Sequence, residues 1–348
     1  NEGRIRSPSA QALLPGVREN GGARRALALP DGCLLPQNIE SVDSFTDLVV
    51  ITAVNVRTRR ITDVNCLSTN VNTVYVSREN LYVAGRGWRP QENVQITVLH
   101  KFSIEDGEIA YRATGSVAGT VGWFNPSYFM DEHEGDLRIV TTSQNAHYLS
   151  VLRESGSQSL MTLSKIPSAA RPEPIGKPGE SVFAVRFMGA RAYVVTFRTI
   201  DPLYVIDLQD PADPLSAGEL EIPGVSTYLH PLGATQSEFL LAVGSNVVGN
   251  TPDGVKVELF DVRDIRNPQS LAAEVFGRTG SSTEARDDPH ALAILAMPGT
   301  EPRYRVGVPI HVYDGGWKYS GLHLFEVAAG ATPQLHLQGV LEKEHVGP

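Results

Sequence analysis

A four-strand unit repeats along this chain, and no other feature restricts the fold so strongly. Its clearest copy runs from Ser181 to Gly224. Val182 to Phe187 turns through Met188-Gly-Ala-Arg191 into Ala192-Tyr-Val-Val-Thr-Phe197; Leu203 to Leu208 follows, and Gly218 to Ile222 closes the unit before Pro223-Gly224. Short β-branched and aromatic runs between Gly, Pro, Asn and Asp clusters mark strands. Between the third and fourth runs stands Asp207-Leu-Gln-Asp-Pro-Ala-Asp-Pro214. Its Asp side chains hold a turn by local hydrogen bonding and its prolines preset φ. The device returns as Phe260-Asp-Val-Arg-Asp-Ile-Arg-Asn-Pro268 and, weakened, as Leu324-Phe-Glu-Val-Ala-Ala-Gly-Ala-Thr-Pro333. Ile104-Glu-Asp-Gly107 and Arg153-Glu-Ser-Gly156 replace it earlier with ordinary hairpin chemistry. Asp207, Asp210, Asp213, Asp261 and Asp264 therefore read as turn formers.

Copies spaced by roughly 45 to 60 residues belong to a propeller or a solenoid. The pattern predicts an all-β chain, a β-propeller of four-stranded antiparallel blades, complete over about 71–119, 122–168, 179–224, 225–280 and 281–345. Residues 45–68 supply two strands of a partial blade. Residues 1–43 lack a sustained period and read as a loop-rich insertion or linker, leaving 44–348 for the blades. A ring closes to protect its sheet edges, so five blades and half of another predict a section of a longer chain. The intact ring is then expected to have about seven or eight blades, with the missing N-terminal ones as partners from the same parent chain. The alternative is an open repeat array.

The formal charge of -9 gives no support for nucleic-acid binding, and Arg57, Arg59 and Arg60 read as a solvated turn. No apolar run approaches the about twenty residues of a transmembrane segment, and Asn1 to Arg6 lacks a signal-peptide core. Cys33 and Cys66 are too few for a disulfide framework or a thiolate metal site. They either form one bridge, tying a long connection onto the sheet in an oxidising compartment, or remain separate thiols.

Longer phrases carry a resemblance. Val185-Arg-Phe-Met-Gly-Ala-Arg-Ala-Tyr-Val-Val-Thr-Phe197, Asp201-Pro-Leu-Tyr-Val-Ile-Asp-Leu208 and Ile222-Pro-Gly-Val-Ser-Thr-Tyr-Leu-His-Pro231 resemble the secreted bacterial and archaeal β-propeller domain family, distantly related to WD40 repeats. Met130-Asp-Glu-His-Glu-Gly-Asp-Leu-Arg-Ile-Val-Thr-Thr142 fits it too. So does Asp288-Pro-His-Ala-Leu292, where the family carries an Asp-His pair and Pro289 intrudes here. The resemblance spans most of residues 45–325. It implies an extracytoplasmic protein (secreted, periplasmic or cell-surface) and further blades before residue 1, and it implies no reaction.

Local catalytic signatures are missing: there is no Gly-x-Ser-x-Gly elbow, His-Glu-x-x-His, phosphate loop or EF-hand. Propellers assemble sites from single residues on several innermost strands, which converge on a channel. That rule selects Asp131, Glu132 and His133 as metal candidates, for a divalent ion such as calcium, and Arg186, His230, Asp288 and His290 as ligand-binding candidates. The plainer role for Arg186 is pairing with a buried carboxylate such as Glu132 or Asp131; its other role is binding an anionic ligand. For His230 and His290 the plainer role is a structural hydrogen bond. Trp88, Trp123 and Trp317 fit blade packing or stacking platforms. Tyr313, Trp317 and Tyr319, around Asp314-Gly-Gly316, form the best loop for recognition. The preferred function is an exported binding or scaffold module for a protein or cell-envelope ligand. The alternative is a metal-dependent hydrolase or lyase with its site in the channel.

Overall fold

The computed structural model describes residues 14–18, 21–28, 32–34, 47–144, 146–198, 201–234, 238–249 and 251–342. Of the loop-rich region expected over 1–43, residues 1–13, 19–20, 29–31 and 35–43 lie outside the described residues. The chain forms two compact units, Asn1–Thr120 with Leu152–Thr162, and Val121–Val151 with Leu163–Pro348. Among the described residues no helix is long and apolar enough to cross a membrane.

In the first unit, β1 (Gly16–Val17) and β2 (Arg25–Ala26) form a small ladder. Strands β3 (Cys33–Leu34), β4 (Leu48–Asn55) and β5 (Arg60–Ser68) make a sheet of order β3-β5-β4. Cys33 lies opposite Cys66 in the parallel β3–β5 pair, and the two are joined by a disulfide with 4.4 Å between their Cα atoms. The bridge is thus the one of the two alternatives that forms, and it gives the expected pair of strands a third. Next comes the four-stranded meander β6 (Thr73–Val76), β7 (Asn80–Arg89), β8 (Val94–Glu105) and β9 (Glu108–Ala118). Leu67, Val83, Phe102 and Ile109 form a core with partly buried Ile51 and Ala53 against it. Asp63 and Asn65 add hydrogen bonds to the backbone N–H and carbonyl of Ile109 at 2.7 and 2.6 Å. On β9, Gly115 is required by close packing: a Cβ there would run into the Leu160 carbonyl.

A second meander contains β10 (Met130–His133), β11 (Asp136–Ser143), β12 (Ala146–Ser155) and β13 (Ser159–Ile166). Its residues are divided between the two units, Leu152–Thr162 going with the first. Three further blades complete the second unit. They are β14 (Ser181–Met188), β15 (Arg191–Phe197), β16 (Asp201–Asp207) and β17 (Leu215–Ile222); β18 (Val225–Leu232), β19 (Phe239–Val248), β20 (Thr251–Asp261) and β21 (Gln269–Phe276); and β22 (Ala293–Ala296), β23 (Arg303–Tyr313), β24 (Trp317–Ala328) and β25 (Gln334–Glu342). Each is an antiparallel sheet in sequence order. The expected architecture of four-stranded antiparallel blades is what forms.

The repeated aspartates act locally. Asp207 and Asp210 accept the backbone N–H of Gln209 and Ala212, and Asp261 and Asp264 accept those of Arg263 and Arg266, at 2.9–3.0 Å. Each such turn drives one apolar residue back into the sheet. Leu208 and Val262 are buried and donate their N–H groups to Ala190 and Glu238; Ala329 does the same to Pro302 in the last blade. A second recurrence is invisible in composition. The register of the third and fourth strands slips at Lys101/Phe102, Val205/Ile206, Leu259/Phe260 and Leu324/Phe325, a bulge at the corresponding place in four blades. Such a bulge bends the strand and strengthens its twist. Between blades of the second unit, Tyr193, Val205, Leu229, Phe260 and Val262 form one core, and Leu241, Val257, Val308, Phe325 and Val327 another. Each of these large apolar side chains contributes about 1.5–3 kcal/mol on burial.

Candidate functional site

Two inner strands of the second unit carry a second kind of bulge. Between Val182 and Ala184 on β14, and between Ser226 and Tyr228 on β18, the register slips against the neighbouring strand, so that Phe183 and Thr227 are extra residues. Bulges re-aim side chains, and these two turn Phe183 and Thr227 into one pocket. Phe124, Asn125, Tyr128 and Phe129 line its other side. The loop supplying them is locally determined. Asn125 adopts the left-handed conformation with φ 45°, Pro126 opens a short 3-10 turn over Pro126–Phe129, and the Tyr128 N–H returns to the Asn125 carbonyl at 2.9 Å. Gly122 lets the buried Phe129 ring lie against the backbone, where a Cβ would collide with it. Phe124 stacks on Phe183 at 5.8 Å, and the Arg286 guanidinium covers the Phe124 ring at 5.3 Å.

Beside this pocket stands a cation. The Arg186 guanidinium lies 5.1 Å from the centre of the Tyr128 ring, which meets Tyr228 edge-on at 5.8 Å. The Tyr228 hydroxyl and His230 Nδ1 share a 3.0 Å hydrogen bond. Burial, and then the positive charge of Arg186, lower the His230 pKa to about 4. Burial pushes the Tyr228 hydroxyl up to about 12. At neutral pH both rings are therefore uncharged and Arg186 is the charge of the cluster. Its Nε has no hydrogen-bond partner, and among the described residues no carboxylate pairs with it. A cation–π contact stabilises a guanidinium without neutralising it. The arrangement is suited to receive an anion, with aromatic walls alongside.

The other expected residues lie differently. Asp131 pairs with Arg138, at 3.0 Å from Nε and through a second contact from Nη2, so the pairing expected of Arg186 belongs to another arginine. Arg138 is buried, spans to the Gly189 carbonyl and covers the Phe187 ring. Strand alternation puts Glu132 on the opposite face of β10 from Asp131 and His133, so three consecutive residues cannot all turn to one ion. Among the described residues no group of three or more His, Cys, Asp or Glu side chains is placed to hold a metal ion. Asp288 and His290 are not on an inner strand. They form an exposed 3-10 turn, with Asp288 accepting the His290 N–H at 3.0 Å and contacting its Nδ1 at 3.1 Å. Those hydrogen bonds hold the Asp288 carboxyl below its usual range. Pro289 at the first turn position explains the placement, because it starts the turn and fixes its φ.

The aromatic loop also divides. Trp317 is exposed and Tyr313 half-buried beside the turn, whereas Tyr319 points inward, stacked on His323 and hydrogen-bonded to its Nε2 at 3.1 Å. Trp123 is 82% exposed, the reverse of blade packing, and Trp88 is half-buried.

The model of the beta propeller domain matches residues 1–346. The chain belongs to the beta propeller domain family. This beta propeller domain is 35% identical over 181 residues to an uncharacterized protein of Methanocaldococcus jannaschii, covering 52% of the chain and 26% of that protein. It is 38% identical over 207 residues to an uncharacterized protein of Archaeoglobus fulgidus, covering 59% and 29%. The chain thus spans under a third of the length of these relatives. Among solved structures it is similar to the beta-propeller domain of the Trilobed protease from Pyrococcus furiosus, with TM-score 0.37, 7% identity and coverage of 78% and 83%. The WD40 domain of Toxoplasma gondii coronin gives TM-score 0.31, 10% identity and coverage of 88% and 90%.

Within the beta propeller domain, the sequence pointed to Arg186 and His230 but not to Tyr128, Tyr228, Phe124 or Phe183. Asn125-Pro-Ser-Tyr128 was the available signal: an Asn-Pro turn start that delivers an aromatic residue at a fixed offset.

Proposed function

We propose that this beta propeller domain is an exported binding module whose ligand, a protein or a cell-envelope polymer, presents a carboxylate or similar anion to Arg186. The observation that carries the reading is the Arg186 guanidinium, held over the Tyr128 ring with no carboxylate of its own among the described residues. A guanidinium recognises planar anions through paired N–H donors, and the Tyr128 ring beneath Arg186 holds it in place without neutralising it. The Cys33–Cys66 bridge supports export, because disulfides persist in oxidising compartments.

The test uses two anionic probes, trigalacturonic acid as an acidic polysaccharide fragment and acetyl-Gly-Gly-Glu as an acidic peptide, in calorimetric titrations of the wild type and Arg186→Gln. At least one probe is expected to bind the wild type, with affinity about tenfold or more weaker in the variant, the loss of one charge-assisted hydrogen bond of about 1.5–3 kcal/mol. Equal affinity in both proteins, or no binding of either probe, contradicts the reading.

A further inference from the structure

Ser320, His311 and Glu284 form a continuous hydrogen-bonded chain. Ser320 Oγ is 2.6 Å from His311 Nδ1, and His311 Nε2 is 2.7 Å from Glu284 Oε1. The three are scattered in sequence and brought together by the last blade: His311 on β23 is the direct cross-strand partner of Ser320 on β24, while Glu284 opens a 3-10 turn capped by Thr283. That turn is fixed to the strand by two backbone hydrogen bonds between Ser282 and His311, at 3.1 and 2.9 Å. The buried Ala285 side chain anchors it from below.

We propose that Ser320 is a nucleophile that accepts acyl groups from esters, with His311 as its general base and Glu284 as the group that orients the imidazole. A carboxylate only accepts hydrogen bonds, so the neutral imidazole carries its proton on Nε2 and donates it to Glu284. The Nδ1 lone pair is then left to accept the Ser320 hydroxyl proton. A nucleophile within reach of a base, itself held by a third group, is the arrangement that activates a serine. The ring nitrogens are exchanged relative to the serine–histidine–aspartate triad, and the direction of proton transfer is the same. The side chains of His311 and Glu284 are 40% and 49% exposed, so substrate and water reach them.

The chemistry closes with water as the other reactant. Ser320 Oγ bonds to the ester carbonyl carbon while its proton passes to His311 Nδ1. The bond from that carbon to the leaving oxygen breaks, and His311 returns the proton to the departing alcohol. Water then adds to the acyl-serine, giving a proton to His311, and the carboxylic acid leaves as Ser320 regains its hydrogen. The site shares no residue with the Arg186 cluster.

The probe is an alkyl fluorophosphonate, whose phosphorus takes the Ser320 oxygen as fluoride departs and the serine proton passes through His311 to solvent. Intact-mass and peptide spectra of the wild type are expected to show one phosphonyl group, on Ser320, and none in Ser320→Ala. Labelling in His311→Asn is expected to be about 100-fold slower, the usual worth of a general base. Glu284→Gln is expected to slow labelling of Ser320 while Glu284→Asp restores part of the rate, a rescue by the conservative variant that a purely structural contact would not give. Peptide mapping of the wild type needs no variant and serves if a substitution prevents folding. Label on other serines in preference to Ser320, no label at all, or a rate indifferent to His311→Asn overturns the proposal.

Discussion

Asp131 pairs with Arg138, the residue directly opposite it on β11, and Arg186 is left without a carboxylate. Two arginines of one unit thus have opposite duties. Arg138 is 3% exposed and spends its donors on Asp131 and the Gly189 carbonyl, so it fixes structure.

Asp131→Asn strands a buried cation and is expected to cost about 3 kcal/mol of stability. Arg186→Gln removes a charge without a partner and is expected to stay within about 1 kcal/mol of wild type. Urea denaturation of the two variants measures the difference. Comparable losses would remove the distinction between structural and ligand-facing arginines.

The turns of the blades were legible because Asp207, Asp210, Asp261 and Asp264 bond to N–H groups two residues away, an interaction contained in the local sequence. The four-strand period was legible for the same reason. The site was only half legible. Arg186 and His230 stood out as polar residues in apolar strands, but nothing local announces that Tyr128 lies under Arg186, since the contact joins different blades. The bulges that aim Phe183 and Thr227 are set by pairing with the next strand, which composition does not record. Asp288 and His290 are expected near the start of an innermost strand, but Asp288 caps the 3-10 turn Pro289–Ala291 that precedes β22, a local device that strand periodicity does not reveal.

Gly122→Ala tests the loop that carries Tyr128. A methyl group would meet the Phe129 ring, so the loop must shift, at a cost of about 1–3 kcal/mol for overpacking. Near-UV circular dichroism is expected to change with little change in the far-UV. Unaltered aromatic signal and stability would show that Phe129 does not rest on Gly122.

The disulfide makes a separate prediction. Cys33 and Cys66 are 33 residues apart, and closing such a loop stabilises by about 3–4 kcal/mol through the unfolded chain. The paired Cys33→Ser, Cys66→Ser variant is expected to lose stability on that scale, and reductive alkylation of the unfolded wild type to add two labels that are absent without reductant. Two labels without reductant would exclude the bridge.

Stability is expected to fall in mild acid. His100 is fully buried between Thr69 and Thr114, and burial lowers its pKa from 6.5 to about 4; burial lowers that of His147 too. The unfolded chain therefore takes up these protons first. The stability contributed by the neutral His100 ring is fully present above pH 6.5 and is lost as pH falls from 6.5 toward 4, by about 3 kcal/mol, and the lowered His147 adds a loss of the same sign. Urea midpoints between pH 7.5 and 4.5 measure it, with His100→Gln as the variant expected to flatten the curve. A midpoint independent of pH over this range would contradict the burial of a neutral ring.

The charge of Arg186 is read most directly at His230, whose imidazole it helps to keep neutral. Titration of the His230 ring by NMR is expected to give a midpoint near pH 4 in the wild type and a higher one in Arg186→Gln. Whichever anionic probe binds, trigalacturonic acid or acetyl-Gly-Gly-Glu, is expected to raise the wild-type midpoint by compensating the guanidinium and to leave the variant unchanged. A midpoint near 6.5 that ignores Arg186→Gln, or a probe that moves wild type and variant equally, would contradict an uncompensated arginine as the ligand-binding charge of this beta propeller domain.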